Sequence, residues 1–277
     1  VKDVLEAALR AERSGEPAAL VTVVATEGST PQKAGAKMLV YPDGRIVGTI
    51  GGGCVEAEMT WRARQAIESR RPAMASYELT ADQAGEDGLV CGGRMQVFIE
   101  PVEGTPTLCL FGAGHVAQPL ARMAKGAGFR VEVVDDRVKF ASRERFPEAD
   151  LVLVEDFTEA AARLTLGRNT FAVVVTRGHK GDREALQAVV GRGLRYVGLL
   201  GSRPKLVHLV AALEEQGVAR EALAEIRCPL GIEIGAVSPE EIAVSILAEM
   251  IAIRRGVPAA AIGPMKMELP GRLKVAR

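Results

Sequence analysis

The stretch from Thr107 to Asp136 constrains this chain more than any other. Thr107 to Phe111 is an apolar run that reads as a buried strand, and it ends in Gly112-Ala113-Gly114. His115, Val116 and Ala117 complete a G-x-G-x-x-A pattern and lead into a helix, and a second strand follows at Arg130 to Val134. Asp135 and Asp136 close that strand about 20 residues beyond the glycines, where a dinucleotide-binding unit places an acid on a ribose hydroxyl. Small residues are needed in the loop because the chain turns sharply there and its backbone must approach a pyrophosphate at the helix N-terminus. Strand, glycines, helix and acid in this order predict a Rossmann-type unit. NAD(P) or another nucleotide is the ligand class such a unit takes, although the fold alone does not fix the ligand.

The rhythm after Thr105 supports that reading. Strands are predicted at Asp150 to Val154, Phe171 to Val175 and Arg195 to Leu199, with helical segments between them. Strands alternating with helices make a parallel sheet covered on both faces. Ser238-Pro239-Glu240-Glu241 opens a last helix that ends near Arg254-Arg255-Gly256, with a serine cap, an early proline and early acids. The first half is different. Leu5, Ala8 and Leu9 have helical spacing, Ala19 to Ala25 is a β-branched strand, and Lys37 to Val47 reads as a hairpin about Pro42-Asp43-Gly44. A helix is predicted from Cys54 to Ser69, and short strands at Ala75 to Leu79 and Met95 to Ile99 bracket an acidic loop. The expected class is therefore α/β: a Rossmann-like parallel-sheet domain over residues 105–256, a smaller mixed α+β domain over 1–104, and a tail over 257–277 that packs poorly.

Composition narrows the function classes. A length of 277 residues suits two domains, and 48% hydrophobic residues supply a core. The 35 basic and 35 acidic side chains balance, which removes the electrostatic reason to expect sequence-independent nucleic-acid binding. The four cysteines form no C-x-x-C pair, and a reducing, cytoplasmic setting fits them. The longest apolar run, Ile242 to Ile253, is interrupted by Ser245 and Glu249 and falls short of the roughly 20 residues a membrane span needs. Val1 to Glu6 lacks a signal-peptide pattern.

Two sets of residues carry candidate chemistry. At the carboxyl edge of the predicted sheet, three polar loops hold His115, Arg177 and His179 with Lys180, and Ser202 and Arg203 with Lys205. Their cations would make that edge locally basic for a phosphate-bearing ligand, with Gly112, Gly114 and Asp135 as further cofactor-binding residues, or else the edge is a solvated rim. In the first half, Gly51-Gly52-Gly53 can form an N–H nest for something anionic, and Cys54 follows at a helix start that favours thiolate. Cys91 also stands beside glycines. Small residues in tight turns are the plainer reading of both cysteines. Cys109, inside a strand, and Cys228, before Pro229, read as structural, and no metal-ligand cluster is found.

Taken in order, these pieces resemble the XdhC/CoxI family of molybdenum-hydroxylase maturation factors. The likeness rests on Glu27-Gly28-Ser29-Thr30-Pro31, Gly35-Ala36-Lys37-Met38, the run Gly48 to Glu56 and Val90-Cys91-Gly92-Gly93 in the first half. In the second half it rests on Phe111 to Val116, Val134 to Arg137, Thr176 to His179, Tyr196 to Arg203 and Pro239 to Ala243. The resemblance implies an accessory protein rather than a metabolic enzyme. It implies binding of molybdenum cofactor, as molybdopterin or its cytosine dinucleotide form, protection during sulfuration, and delivery to an apo molybdenum hydroxylase large subunit of xanthine dehydrogenase, aldehyde oxidoreductase or CO dehydrogenase type. A cysteine desulfurase, a cofactor nucleotidyltransferase and a second copy of the chain are further implied partners. Cys54 and Cys91 are then the thiols for a soft metal centre and its sulfur. The alternative is an NAD(P)-dependent oxidoreductase with a small N-terminal substrate domain.

Overall fold

A computed structural model describes residues 1–78 and 93–257. The acidic loop, Cys91 and the tail beyond Val257 lie outside the described residues. The chain divides into two compact units, Val1–Pro106 and Thr107–Arg277.

The first unit opens with helix α1 (Lys2–Ser14), which ends at Gly15 in the left-handed region, φ 72°. Strands β1 (Ala18–Glu27), β2 (Lys37–Val40), β3 (Ile46–Gly48), β4 (Ala73–Glu78) and β5 (Arg94–Val102) form an antiparallel sheet in the order β3-β2-β1-β5-β4. The predicted hairpin pairs Met38 with Gly48 and Val40 with Ile46, and its turn is closed by the Gly44 amide donating to the Tyr41 carbonyl at 3.0 Å. Helix α2 (Gly53–Ser69) lies on one face of the sheet. Its Val55, Met59, Ala63 and Ala66 recur at helical spacing and pack against Val21, Val23, Met38, Val97 and Ile99. Helix α1 packs Val4, Ala7 and Ala11 against Leu39 and Tyr41.

The second unit is a parallel sheet of strands β6 (Thr107–Phe111), β7 (Arg130–Asp135), β8 (Leu151–Val154), β9 (Thr170–Val174), β10 (Tyr196–Leu199) and β11 (Ile226–Arg227). Their order, β11-β10-β9-β6-β7-β8, is the doubly wound 3-2-1-4-5-6 arrangement, with its switch point between β6 and β9. Alternation along β6 explains why both faces are covered. Leu108 and Leu110 join a core with helices α3 (Ala117–Gly126) and α8 (Pro239–Arg254). Cys109 and Phe111 join another with α4 (Phe157–Ala160), α5 (His179–Val189) and α6 (Arg203–Glu215). Phe111, Phe129, Phe146 and Phe171 are fully buried, each contributing roughly 1.5–3 kcal/mol of hydrophobic stabilisation. A short helix α7 (Arg220–Leu223) precedes β11. Helix α8 has the predicted serine cap, as a full capping box between Ser238 and Glu241. Among the described residues, no helix is long and apolar enough to cross a membrane.

Candidate functional site: two glycine loops and a cavity at the sheet edge

In the first unit, Gly51, Gly52 and Gly53 all take left-handed φ values of 131°, 76° and 59°, conformations that L side chains rarely adopt. A Cβ on Gly51 would also stand 2.5 Å from Pro31 Cγ. The loop is a nest, but its anion is the chain's own. Glu56, on the first turn of α2, accepts from the Ile50 amide at 3.0 Å, the Gly52 amide at 2.9 Å and the Thr49 hydroxyl. The Thr49 hydroxyl in turn accepts from the Gly51 amide at 3.1 Å. Burial raises the Glu56 carboxyl, but the Thr49 hydroxyl and the loop amides outweigh it and hold the group below its usual range. The expectation of amides open to an external anion at Gly51 and Gly52 is therefore corrected, because an internal carboxylate already satisfies this part of the loop.

Cys54 is exposed at the start of α2. Tyr77 on β4 is buried nearby. Its phenol is pushed up by burial first, then by Cys54 and Glu58. Gly93, two residues after Cys91, allows a close approach of its own. A Cβ there would meet the Ser29 carbonyl at 2.2 Å and the Glu27 carbonyl at 2.8 Å. The Glu27–Pro31 segment thus touches both Gly51 and Gly93, so three segments singled out in the sequence meet within this unit.

In the second unit the two loops of the switch point meet at Gly112. Its φ is +106°, and a Cβ would lie 2.6 Å from the Val175 carbonyl oxygen and 2.9 Å from the Thr176 nitrogen. Glycine is required there by the neighbouring backbone, with no ligand invoked. Gly114 is different, because no atom lies within 4 Å of a Cβ built on it. His115 is exposed and precedes the helix cap at Val116.

Asp135 is 1% exposed. One oxygen accepts from the Ala113 amide and Arg137 Nη2, both at 2.8 Å. The other accepts from the Arg137 amide at 3.0 Å and Arg137 Nε at 2.7 Å. Burial raises this carboxyl, but the Arg137 and Ala113 donors outweigh it and hold it low. The reading of Asp135 as a ribose ligand is corrected: four internal donors occupy it, and it ties the glycine loop to the end of β7. Of the two acids that close β7, only Asp136 is then left open to a ribose hydroxyl. Asp136, the next residue, is half exposed and faces a cavity of about 410 Å³.

That cavity is lined by Asp136, Asp156, Arg177, Gly178, His179 and Lys180, among others. It lies at the carboxyl ends of β7, β8 and β9, where open α/β sheets take their ligands. Its size is at the small end of the usual 300–1,000 Å³ range for ligand pockets. The expected basic edge is only partly so. Arg177 stands 3.8 Å from Asp136, and Lys180 3.7 Å from Glu184. Lys205 is 2.5 Å from the buried Asp182, whose other oxygen accepts from the Thr176 hydroxyl at 2.7 Å. The last pair fixes the loops after β9 and β10 together. The first two are long and solvent-facing, so a phosphate can replace their acids at small cost. Ser202 and Arg203 are exposed at the start of α6, and the Ser202 hydroxyl makes no cap bond to that helix. Gly112, Gly114, His115, Ser202 and Arg203 do not line the cavity.

Asp182 and Cys228 were not among the expected edge residues. Asp182 carried a signal, being an acid in the first turn of a helix that starts in a polar loop. Cys228 carried none, since β11 is too short to read. Its Sγ lies 3.3 Å from the Gly201 carbonyl, and burial pushes the thiol up, opposed by Lys205. Cys109 is buried as expected, and burial and Glu132 raise its thiol far above the ordinary value. Among the described residues, no group of three or more His, Cys, Asp or Glu side chains is placed to hold a metal ion.

The chain is similar to an uncharacterised Escherichia coli protein, YqeB, at 37% identity over 91% of this chain, and it spans about half (46%) of that relative's length. It is 26% identical to the E. coli molybdenum cofactor insertion chaperone PaoD, covering 91% of this chain and 88% of the relative. A crystal structure described as a xanthine dehydrogenase from Bacillus halodurans shares the fold, with a TM-score of 0.52 at 23% identity over 94% of this chain and 98% of that one. The XdhC Rossmann domain matches residues 108–250 and the XdhC and CoxI family matches residues 11–78. Matched in both of its units, and through the segments that build both glycine loops, the chain belongs to the XdhC/CoxI family.

Proposed function

We propose that this protein is an accessory chaperone that holds molybdenum cofactor as cargo, in the cytoplasm, while its metal centre is sulfurated, and passes it to a molybdenum hydroxylase of the xanthine dehydrogenase, aldehyde oxidoreductase or CO dehydrogenase type. The observation that carries the reading is the cavity at the carboxyl edge of the second unit, with Arg177, His179 and Lys180 around the start of α5. A pterin cofactor carries a phosphate, or a diphosphate in its cytosine dinucleotide form. Arg177 and Lys180 supply cations, and the first amides of α5 face such a group. Asp136 and Asp156 accept hydrogen bonds from ring amino groups or hydroxyls. Gly114 offers a second place for close backbone approach.

The first unit supplies the sulfur chemistry in this proposal. Cys54 presents an exposed thiol, a soft donor suited to a soft metal or its sulfur, and Cys91 is its proposed companion. The client is an apo-hydroxylase large subunit. A cysteine desulfurase, a cofactor nucleotidyltransferase and a second copy of the chain are proposed as transient partners. The similarity to a molybdenum cofactor insertion chaperone over most of both chains supports the class. The oxidoreductase alternative is less favoured, because a relative matched over most of both chains is a cofactor insertion chaperone.

The test is purification from cells that make molybdenum cofactor, followed by metal and pterin analysis. Molybdenum and pterin in equal amounts, lost on Arg177→Ala/Lys180→Ala substitution, are the expected result. Nicotinamide fluorescence that changes on mixing, in a protein free of molybdenum and pterin, would overturn the proposal.

A further inference from the structure

We infer that Glu56 is a positioning residue for Cys54, closing the Thr49–Gly53 loop around its own carboxylate so that the thiol is presented in one fixed place; this rests on the reading that Cys54 serves the cargo. The loop is otherwise poorly determined. Three consecutive glycines have the largest backbone freedom a chain can offer, and each here sits at positive φ. Something must select this one conformation. The Glu56 carboxylate does so from within the same segment, reaching back to the Ile50 and Gly52 amides and the Thr49 hydroxyl. Thr49 extends the clamp to the Gly51 amide. Every residue from Thr49 to Gly52 is thereby tied, directly or through Thr49, to one side chain on the first turn of α2. Cys54 lies between the tied loop and that side chain. Pro31 against Gly51 closes the outer side.

The arrangement also says what the loop does not do. A nest filled by an internal carboxylate does not take a phosphate at Gly51 and Gly52. The glycines are there to let the chain wrap tightly around Glu56, and the loop's product is the placement of a sulfur atom. The charge of Glu56 is less important to this role than its reach and its acceptor oxygen, which glutamine keeps and alanine lacks.

Four full-length chains separate the outcomes: Glu56→Ala, Glu56→Gln, Cys54→Ser and the double Glu56→Ala/Cys54→Ser. Each is co-expressed with a xanthine dehydrogenase-type hydroxylase, and the activity and sulfido content of the client are measured. Amide hydrogen exchange at Ile50 and Gly52 reports the clamp itself. Glu56→Ala is expected to lose protection at both amides and to lower client activity about ten- to a hundredfold, the scale on which misplacement of a reacting group is felt. Glu56→Gln is expected to restore both. The double variant is expected to be no worse than Cys54→Ser, since two residues acting through one step are not additive. If Cys54→Ser delivers a fully active client, the reading of Cys54 fails. If Cys54→Ser is impaired while Glu56→Ala, with its amides unprotected, still delivers normally, the Glu56 inference fails alone. Additive losses in the double variant would also overturn it. Should Glu56→Ala not fold, Thr49→Val opens the same clamp from its other end and is expected to give a partial loss.

Discussion

The two glycine loops of this protein solve the same problem in opposite ways. Each has backbone amides arranged for an anion, and in each an internal carboxylate takes part of the set, Ile50 and Gly52 in the first loop and Ala113 in the second. In the first unit the acid is local. Glu56 comes from the helix that the loop itself begins, is partly exposed, and binds its amides without a cation among its partners. In the second unit the acid is distant. Asp135 comes from a neighbouring strand, is buried, and holds a guanidinium fork from Arg137 as well as the Ala113 amide. A local clamp can open without disturbing the core. A tertiary clamp cannot, because it joins β6 to β7. The difference ties the Ala113 part of the second loop to the integrity of the sheet, whereas the first loop is free to serve the placement of Cys54 inferred above.

The largest effect expected from this contrast is at Gly112. Alanine there brings a Cβ to within 2.6 Å of the Val175 carbonyl at a φ of +106°. Backbone strain and overpacking together predict a loss of roughly 2–6 kcal/mol, read as a fall in the denaturant midpoint at unchanged slope. Asp135→Ala should come next. It leaves Arg137 without its main partner, and breaking a buried pair costs about 3–5 kcal/mol; partial exposure of Arg137 and the nearby Asp136 lower the expectation to roughly 2–4 kcal/mol. Gly51→Ala is expected to cost about 1–3 kcal/mol from strain at positive φ, because the Pro31 ring it meets stands in an exposed segment that can shift, whereas the backbone against Gly112 is held in the sheet. A loss at Gly51 as large as that at Gly112 would erase the distinction between the loops.

Acid should separate the clamps less sharply. Both carboxyls are held below their unfolded values, which are near 3.9 for Asp and 4.3 for Glu. A depressed folded pKa contributes stability that is present above the unfolded value and lost as pH falls through the folded one. Stability measured between about pH 5 and 2 should therefore fall with a slope that Asp135→Asn reduces. Glu56→Gln should reduce the slope less, since its carboxyl is more exposed. A pH dependence identical in Asp135→Asn and the parent would break this part of the comparison.

How far all this was legible in the sequence follows the same line. The strand from Thr107 to Phe111 was readable to the residue, because period-2 burial on both faces leaves an unbroken apolar run. Helix α2 and the hairpin at Gly44 were readable for local reasons, periodicity and turn chemistry. Strand β11, two residues long, carried no pattern. The roles of the acids were not readable. Asp135 occupies the position of a ribose ligand, and only the three-dimensional approach of Arg137 and Ala113 shows that it is taken. Glu56 was closer to legible, since an acid four residues after Gly52 can reach back over one helical turn. Cys228 reaches the sheet edge only through the crossover after β10, a long-range placement that local spacing does not encode.

The smallest expected effect on stability is the most informative about the cargo. Gly114 and Gly178 are both glycines that the fold does not require. Neither would bring a Cβ within 4 Å of any described atom, and Gly178 has an extended φ of 174° that any residue adopts. Valine at either position should change stability by no more than about 0.5 kcal/mol, the usual range for substitutions that disturb no special feature. Each glycine nevertheless opens a loop at the carboxyl edge, Gly114 before α3 and Gly178 before α5. If the phosphate end of the cargo approaches the backbone at one of them, valine there should abolish retention of molybdenum and pterin in the purified protein while the melting temperature stays put. Loss at Gly178 alone would place the phosphate in the Asp136–Lys180 cavity and leave the first glycine loop to structure. Loss at Gly114 alone would return the phosphate to the position that the G-x-G-x-x-A pattern predicts. Unchanged retention in both folded variants would mean that no backbone approach at this edge holds the cargo, and the cations Arg177 and Lys180 would have to bind it by side chains alone.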